Sequence, residues 1–160
     1  SLLIVLAERI DPRQALIAAT GWGGDAYVDF PRDGHSCLRL NVTGDTDADT
    51  DELEDALVAW VDAAPDGSAE TSRSGDVVYL ESCDPGSSAA GGTGGSEEAM
   101  SLAVSRSYVA VSALADGAEE EQAECFASAL VLGLTLDELG ADETTPALDR
   151  KIAGIVSDCR

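Results

Sequence analysis

Four cysteines in a chain of 160 residues constrain its fold more than any other feature. They are Cys37, Cys83, Cys125 and Cys159, and because none forms a C-x-x-C pair, neither a zinc knuckle nor a thioredoxin-type redox pair is indicated. Cys37 opens one apolar run and Cys83 closes another in the first half, whereas Cys125 and Cys159 lie on helical patterns in the second half. Among the three possible pairings, this placement favours Cys37–Cys83 and Cys125–Cys159.

Two disulfides imply an oxidising compartment, so we expect an extracytoplasmic protein, either secreted or membrane-anchored. The alternative is a cytosolic protein with four buried free thiols. The apolar run at residues 2–7 ends at Glu8 and is too short to cross a bilayer or to form the apolar part of a signal peptide. We therefore expect no direct membrane insertion of this segment. Because the chain begins at Ser1, we interpret it as an ectodomain whose export signal or anchor lies upstream.

The charge balance excludes one class of partner. Thirty-one carboxylates and nine cations give a net charge of −22, which repels nucleic acids and anionic membrane surfaces. One interpretation of this acidity is a solvating surface from a high-GC or salt-adapted source. The other is attraction of cations or of a basic partner.

The first half has the pattern of an α+β domain. Two short helices are predicted over residues 2–10 and 12–20, followed by strands at 26–30 and 37–42 around an Asp33-Gly34 turn. Asp49 or Thr50 is predicted to cap a helix that ends before Pro65. A second hairpin turns at Ser74-Gly75 and continues into a strand at 77–80. Together these elements predict an antiparallel sheet of about four strands with helices packed on one face.

The second half is predicted to be helical. Residues 86–96 are rich in glycine and serine and indicate a linker or a disordered loop. Apolar residues recur at helical spacing from Met100 to Leu114, a second helix begins near Glu119, and Thr145-Pro146 opens a last helix with Ile152 and Ile155 on its inner face. The predicted organisation is an α+β sheet region at 1–85, the linker at 86–96, and a helical region at 97–160 that packs on the first region or stands apart.

An acidic run between the second strand and the third helix raises the question of a metal site. Asp45, Asp47 and Asp49 alternate as the first ligands of an EF-hand loop do. However, the loop pattern then requires glycine at its sixth position and glutamate at its twelfth, and this chain has Thr50 and Ala56 there. We interpret the run as a polar loop with a helix cap. The three aspartates remain a weak candidate for a divalent cation, and no cofactor is predicted.

The segment Gly21-Trp22-Gly23-Gly24-Asp25 is the least generic string in the chain. It lacks the Lys-Ser/Thr ending of a phosphate loop, and its aspartate would repel a phosphate. The simplest interpretation is a helix-to-strand turn in which glycines allow unusual backbone angles and Trp22 closes over the edge of the core. The functional alternative is a binding surface formed by Trp22, Asp25 and Tyr27.

Few residues offer catalytic chemistry. His35 is the single histidine and follows a tight turn, so a nucleophile–histidine system or a zinc site built on several histidines is not indicated. Chemistry based on carboxylates alone needs one carboxyl with a raised pKa, and Glu81, in an apolar run beside Cys83, is the one weak candidate. The chain is therefore more consistent with a protein that is not an enzyme.

Two sets of residues resemble a known family. Residues 18–27 have the pattern A-x-x-G-W-G-G-D-x-Y, and they are followed by Asp45-Thr46 and by the acidic helix near 53–63. This resembles an extracytoplasmic module, of uncharacterised function, in actinobacterial and haloarchaeal surface proteins. The stretches 124–127 and 157–159 resemble an actinobacterial pattern in which a cysteine on one helix pairs with a cysteine at the chain end. The family often has Arg where this chain has Ala26. The resemblance implies an extracytoplasmic actinobacterial protein and carries no catalytic residues.

These observations predict a non-enzymatic binding or interaction module outside the cytoplasm, whose partner is a protein or a component of the cell envelope. The alternative is an accessory or degenerate domain of a cell-envelope hydrolase that uses carboxylates only. A binding module requires an exposed apolar patch, whereas an enzyme requires a cleft with a desolvated carboxylate. The sequence leaves the oligomeric state open.

Overall fold

A computed structural model describes residues 2–87, 89, 92–141 and 143–159 of the chain. Within them the protein forms two compact units, Ser1–Ala99 and Met100–Arg160. The first unit contains three helices and four strands, in the chain order α1 (Leu2–Ala7), α2 (Pro12–Thr20), β1 (Trp22–Arg32), β2 (His35–Gly44), α3 (Asp47–Asp62), β3 (Ala69–Ser74) and β4 (Val77–Cys83). This confirms the predicted α+β class.

The four strands form one antiparallel sheet in the order β1-β2-β4-β3. The first hairpin turns at Asp33 and Gly34, which adopt φ values of 51° and 84° as a two-residue turn of the Asp-Gly type requires. The second hairpin was predicted one residue too early. Ser74 still pairs with Val77, and the turn consists of Gly75 and Asp76. Gly75 is the better turn residue because its φ of 61° is accessible to glycine without strain.

One face of the sheet carries the core. Leu40, Val42, Val78 and Leu80 are all buried there, and α3 packs against them with its own buried Leu53 and Leu57. Helices α1 and α2 pack against each other and against α3. The indole Nε1 of Trp60 on α3 donates a hydrogen bond of 2.8 Å to the carbonyl of Val5 on α1, which fixes the two helices to each other. The helices therefore lie on one face of the sheet, as predicted.

The first disulfide joins the two central strands. Cys37 and Cys83 are direct partners in the β2–β4 register, and they are bonded. The next pair along the ladder is Ser36 and Asp84, whose backbone hydrogen bond measures 2.8 Å. Hydrogen-bonded and non-hydrogen-bonded pairs alternate in an antiparallel ladder, so the cysteines occupy a non-hydrogen-bonded pair, where Cα atoms approach most closely. Their Cα atoms are 3.9 Å apart.

Part of the glycine-rich segment is bound to the first unit. Ser88, Ala90 and Gly91 lie outside the described residues, but the backbone N–H of Thr93 donates to the carbonyl of Glu8 at 2.5 Å. The hydroxyl of Thr93 donates to the same carbonyl at 3.1 Å. The boundary between the compact units then falls inside the next helix, α4 (Ser96–Ala115), rather than within 86–96.

The second unit is helical, as predicted, and its elements after α4 are α5 (Glu120–Gly133), α6 (Leu136–Leu139), α7 (Pro146–Ile155) and a short 3₁₀ turn at Val156–Asp158. The disulfide Cys125–Cys159 joins α5 to the chain end. Ile155 on α7 lies where a Cβ on Gly133 would be, so this glycine allows α7 to approach α5 closely. Helix α6 was not predicted, although Thr135 and Glu138 form a capping box at its start.

The structure alters the interpretation of α4. Its apolar periodicity predicted the helix, yet the residues that carry the periodicity are exposed rather than buried. Tyr108 is 74 % exposed, Val111 is 65 % exposed and Val104 is 64 % exposed. No helix in the described part of the chain is long and apolar enough to span a bilayer.

Candidate functional site

The predicted surface residues Trp22, Asp25 and Tyr27 lie on β1, an edge strand of the sheet. Their register partners on β2 are Gly44, Val42 and Leu40, which alternate along one face of that strand. An irregularity between Trp22 and Gly24 compensates for the odd spacing within the motif, so that Trp22 shares a face with Asp25 and Tyr27. The structure therefore places all three on one face of the edge strand.

Strand β1 is largely unburied over its length of 11 residues, which is much more than the five or six of an average strand. Tyr27 is 70 % exposed, Val28 52 % and Trp22 46 %, although Tyr27 and Trp22 lie on the face that α3 covers further in. Trp22 is therefore about half-buried at the edge of the sheet. This strand combines exposed aromatic and apolar side chains with an edge to which no other described strand is paired.

The hydrogen-bond parity of the sheet shows which backbone groups of β1 point outwards. Because Ser36 is hydrogen-bonded to Asp84, the even-numbered residues of β2 bond to β4. The odd-numbered residues of β2 therefore bond to β1, where their partners are Ala26, Val28 and Phe30. The N–H and C=O groups of the odd-numbered residues of β1 therefore project from the free edge of the sheet. These residues are Asp25, Tyr27 and Asp29.

The free edge has defined ends. The strand irregularity beside Gly23 interrupts it on one side, and Pro31, which has no N–H, ends the row of donors on the other. Sequence reasoning singled out Asp25 and Tyr27 but missed Asp29 and Pro31. The alternation of the strand was the signal that could have found them. Five residues, 25–29, therefore form the uninterrupted part of the edge.

The opposite edge of the sheet is different in kind. Strand β3 has 6 residues, and Arg73 near its end forms ion pairs with Asp51 and with Glu54 (2.9 Å) on α3. These hydrogen bonds raise the pKa of the Arg73 guanidinium. A short strand whose charged side chain is already paired to a helix is a protected edge. The β1 edge lacks such a contact from the described residues, since no ion pair is formed by Asp25 or Asp29 there.

The glycines of the motif have a structural role. A Cβ on Gly21 would overlap the side chain of Asp49, and a Cβ on Gly23 would lie 2.7 Å from the carbonyl oxygen of Gly44. Gly44 in turn faces the first turn of α3, where a Cβ would lie 2.5 Å from the backbone nitrogen of Thr50. Close approach of backbone to backbone thus requires glycine at positions 23 and 44, and the Asp49 side chain leaves no room for a Cβ at position 21. Gly24 meets nothing within 4 Å.

The acidic run forms a helix cap, but the predicted cap residue was wrong. Thr46, not Asp49 or Thr50, is the N-cap of α3, because the hydroxyl of Thr46 accepts a 3.2 Å hydrogen bond from the backbone N–H of Asp49. The Asp49 carboxylate accepts one from the N–H of Thr46 at 3.0 Å and completes a capping box. Asp45 and Asp47 are exposed beside this box. Among the described residues, no group of three or more acidic, histidine or cysteine side chains is arranged to hold a metal ion.

A charged cluster on the sheet face opposite α3 was not predicted. Glu81 on β4 accepts a hydrogen bond of 2.6 Å from Arg39 on β2 and pairs with Arg32 on β1 at 2.5 Å. Both guanidinium groups lie over the ring of Phe30, at 5.3 and 5.4 Å from its centre. These residues become neighbours only through the strand register, which no local sequence pattern reveals.

The cluster removes the one catalytic candidate. The hydrogen bond from Arg39, followed by that from Arg32, holds the pKa of Glu81 below its usual range, although partial burial opposes the shift. The proposal of a raised pKa at Glu81 was therefore wrong. The depressions around this cluster are open grooves. One, of about 280 Å³, is lined by Arg39 and Tyr79. Another, of about 440 Å³, includes exposed His35 at the hairpin. A carboxylate whose pKa is lowered by two arginines is unsuited to the role of a general acid, which needs a raised pKa.

Comparison of the chain with protein families, with curated proteins and with solved structures finds no match.

Proposed function

We propose that this protein is an extracytoplasmic binding module that accepts an extended, basic polypeptide segment along the free edge of β1. The observation that carries the proposal is the row of outward backbone groups at Asp25, Tyr27 and Asp29 on an exposed strand of 11 residues. An edge of this kind can gain a further strand, in which main-chain hydrogen bonds supply affinity and alternate side chains supply specificity.

The side chains beside the edge define the chemistry of the segment. Asp25 and Asp29 flank exposed Tyr27 on one face, which favours Lys or Arg in the adjacent positions of the incoming strand. Ala26 and Val28 lie on the other face and favour apolar residues there. The complementary segment therefore alternates basic and apolar residues over about five to seven positions. The net charge of −22 assists such a partner by long-range attraction.

The cysteines support the proposed location. All four are joined in the two disulfides that the sequence predicted. Pairs of this kind persist in oxidising compartments and are rare in the cytosol. The alternative, an accessory hydrolase domain, has no specific observation in its favour among the described residues, since Glu81 is paired with two arginines that lower its pKa.

The test is titration of the protein with synthetic peptides by isothermal calorimetry. A peptide that alternates Lys and Val should bind, whereas one that alternates Glu and Val should not. Binding should weaken as salt rises from about 0.05 M to about 0.5 M, because exposed ion pairs are screened. N-methylation of every second residue of the Lys peptide should abolish binding, since it removes the donors that reach the edge. Equal binding of the Lys and Glu peptides would contradict the proposal.

Two variants locate the binding site. Replacement of both flanking acids, Asp25→Asn with Asp29→Asn, should weaken binding about threefold to tenfold, the effect of two exposed ion pairs, and should flatten the salt dependence. The matched control is Asp66→Asn with Asp76→Asn, which removes the same two charges from exposed turns before and after β3. An equal loss in the control would assign the attraction to net charge alone.

A further inference from the structure

A second surface, on α4, lies on the other compact unit and is distinct from the β1 edge. Its large side chains recur at helical spacing and are exposed by 45 % to 74 %: Met100, Val104, Tyr108, Val111 and Leu114. We name this surface the α4 stripe, and it also includes the smaller exposed residues Ser101, Ser107 and Ala115. It runs for about 24 Å along the helix, at 1.5 Å per residue.

The stripe carries no charge in a chain that is otherwise strongly charged. Every exposed position between Met100 and Ala115 is apolar or a hydroxyl residue, and all of these positions are described. The single charged side chain in the interval, Arg106, is half-buried and directs its Nε to the Ser128 hydroxyl of α5 at 3.2 Å. A continuous uncharged helix face on a protein of net charge −22 is an interaction surface rather than a solvated one.

The large and small side chains of the stripe are complementary about its midpoint. One row along the helix contains Met100, Ser107 and Leu114, with a small residue between two large ones. The middle row contains Val104 and Val111, which lie equally far from the same midpoint, between residues 107 and 108. The third row has Tyr108 at its centre, and small residues 101 and 115 stand at its ends.

This complementarity identifies the partner. A two-fold interface brings the same patch of two molecules together, so each residue must suit the residue that the axis places opposite. In an antiparallel pair whose axis passes between residues 107 and 108, Val104 lies level with the partner's Val111. Met100 then lies level with the partner's Ala115 and Leu114 with the partner's Ser101, so the large side chains at the ends of one row meet small ones. We propose that α4 is a self-association surface on which a second copy of this chain docks antiparallel.

Charge favours this partner and predicts how it depends on salt. The stripe is the part of α4 where two copies that both carry −22 can meet without placing carboxylates face to face. Outside it, Glu98 of one copy approaches Asp116 of the other, so repulsion opposes docking at low ionic strength. The Debye length falls from about 10 Å at 0.1 M salt to about 3 Å at 1 M, so added salt should strengthen the dimer. Salt should weaken the binding of a basic segment at β1, which separates the two surfaces.

The test is sedimentation equilibrium of the intact oxidised chain, from about 10 µM to about 1 mM, because a single helix pair lies at the small end of stable interfaces. A monomer–dimer equilibrium is expected, with at least tenfold tighter association at high salt than at low salt. Val111→Glu should weaken the dimer more than tenfold. The control Val58→Glu, on α3 and 43 % exposed, should leave it unchanged. A monomer at every concentration and salt would overturn the proposal.

A charge pair tests the antiparallel geometry. In the double variant Val104→Lys with Val111→Glu, an antiparallel pair places each lysine level with the partner's glutamate, so dimerisation should be restored relative to Val111→Glu alone. A parallel pair would place like charges together and would restore nothing. Failure of the restoration, with circular dichroism spectra unchanged from the wild type, would overturn the antiparallel dimer.

Discussion

At the scale of single residues, the motif Gly21-Trp22-Gly23-Gly24-Asp25 divides into two roles. Gly21 and Gly23 allow the chain to pass close to Gly44 and to the first turn of α3, where a Cβ has no room. Asp25 lies on the exposed edge strand. Close packing at Gly21 and Gly23 fixes the position of β1, whereas the exposed Asp25 lies on its accessible edge. The motif therefore combines a packing role with a surface role.

The packing role predicts a large effect of one methyl group. Gly44→Ala should lower the free energy of unfolding by about 1–3 kcal/mol, because its Cβ meets backbone atoms of α3 that cannot move aside. Gly24→Ala, in open space on β1, should stay within about 0.5 kcal/mol of the wild type. Urea unfolding measures both. Equal effects of the two substitutions would contradict the assigned packing.

Glu81 gives the protein a specific pH dependence. Its pKa is lowered in the folded state by Arg39 and Arg32, from an ordinary value of 4.5. A lowered folded pKa contributes stability that is present above the unfolded value and is lost as pH falls through the folded one. The urea midpoint of the wild type should therefore exceed that of Glu81→Gln at pH 7, and the difference should shrink below about pH 4.5. A difference that is constant down to pH 2 would contradict the ion pair.

At the scale of elements, the sequence predicted those features that depend on local signals. The Asp33-Gly34 turn, the helix with Leu53 and Leu57 on one stripe, and the proline at the start of α7 are examples. Boundaries were less accurate where two signals compete. Thr46 and Asp49 both suit an N-cap, and only the reciprocal hydrogen bonds of the capping box select Thr46.

Features that depend on register or exposure were not predictable in this way. The Arg32–Glu81–Arg39 cluster joins three strands. The outward direction of the odd-numbered backbone groups of β1 follows from the hydrogen bond between Ser36 and Asp84, which lies on the far side of β2. The stripe on α4 has the same periodicity as a buried face, since period alone does not tell which surface a helix covers. Trp22, Asp25 and Tyr27 could be named from sequence, but their common face could not, because the strand irregularity sets it.

At the scale of the whole molecule, each compact unit contains one disulfide. The loops closed by Cys37–Cys83 and Cys125–Cys159 span sequence separations of 46 and 34, for which the chain-entropy estimate gives about 4 kcal/mol each. The sum is comparable to the whole stability of an ordinary domain.

Reduction should therefore destabilise the protein severely. Thermal unfolding followed by circular dichroism should shift downwards by more than about 10 °C in reductant, given the usual few degrees per kcal/mol. The variant Cys125→Ala with Cys159→Ala should lose helical signal first, while the sheet unit keeps its own disulfide. A thiol assay verifies that reduction is complete. An unchanged melting temperature in fully reduced protein would contradict the stabilising role of the disulfides.

The proposed strand addition at β1 is tested most directly by amide hydrogen exchange, read residue by residue by NMR. In the free protein the amides of Ala26, Val28 and Phe30 should be protected by β2, while those of Asp25, Tyr27 and Asp29 exchange rapidly. With the alternating Lys and Val peptide bound, the second set should become protected as well, with little change in the first. If all six amides are protected before the peptide is added, or if Asp25, Tyr27 and Asp29 still exchange rapidly in its presence, the edge of β1 is not the binding site.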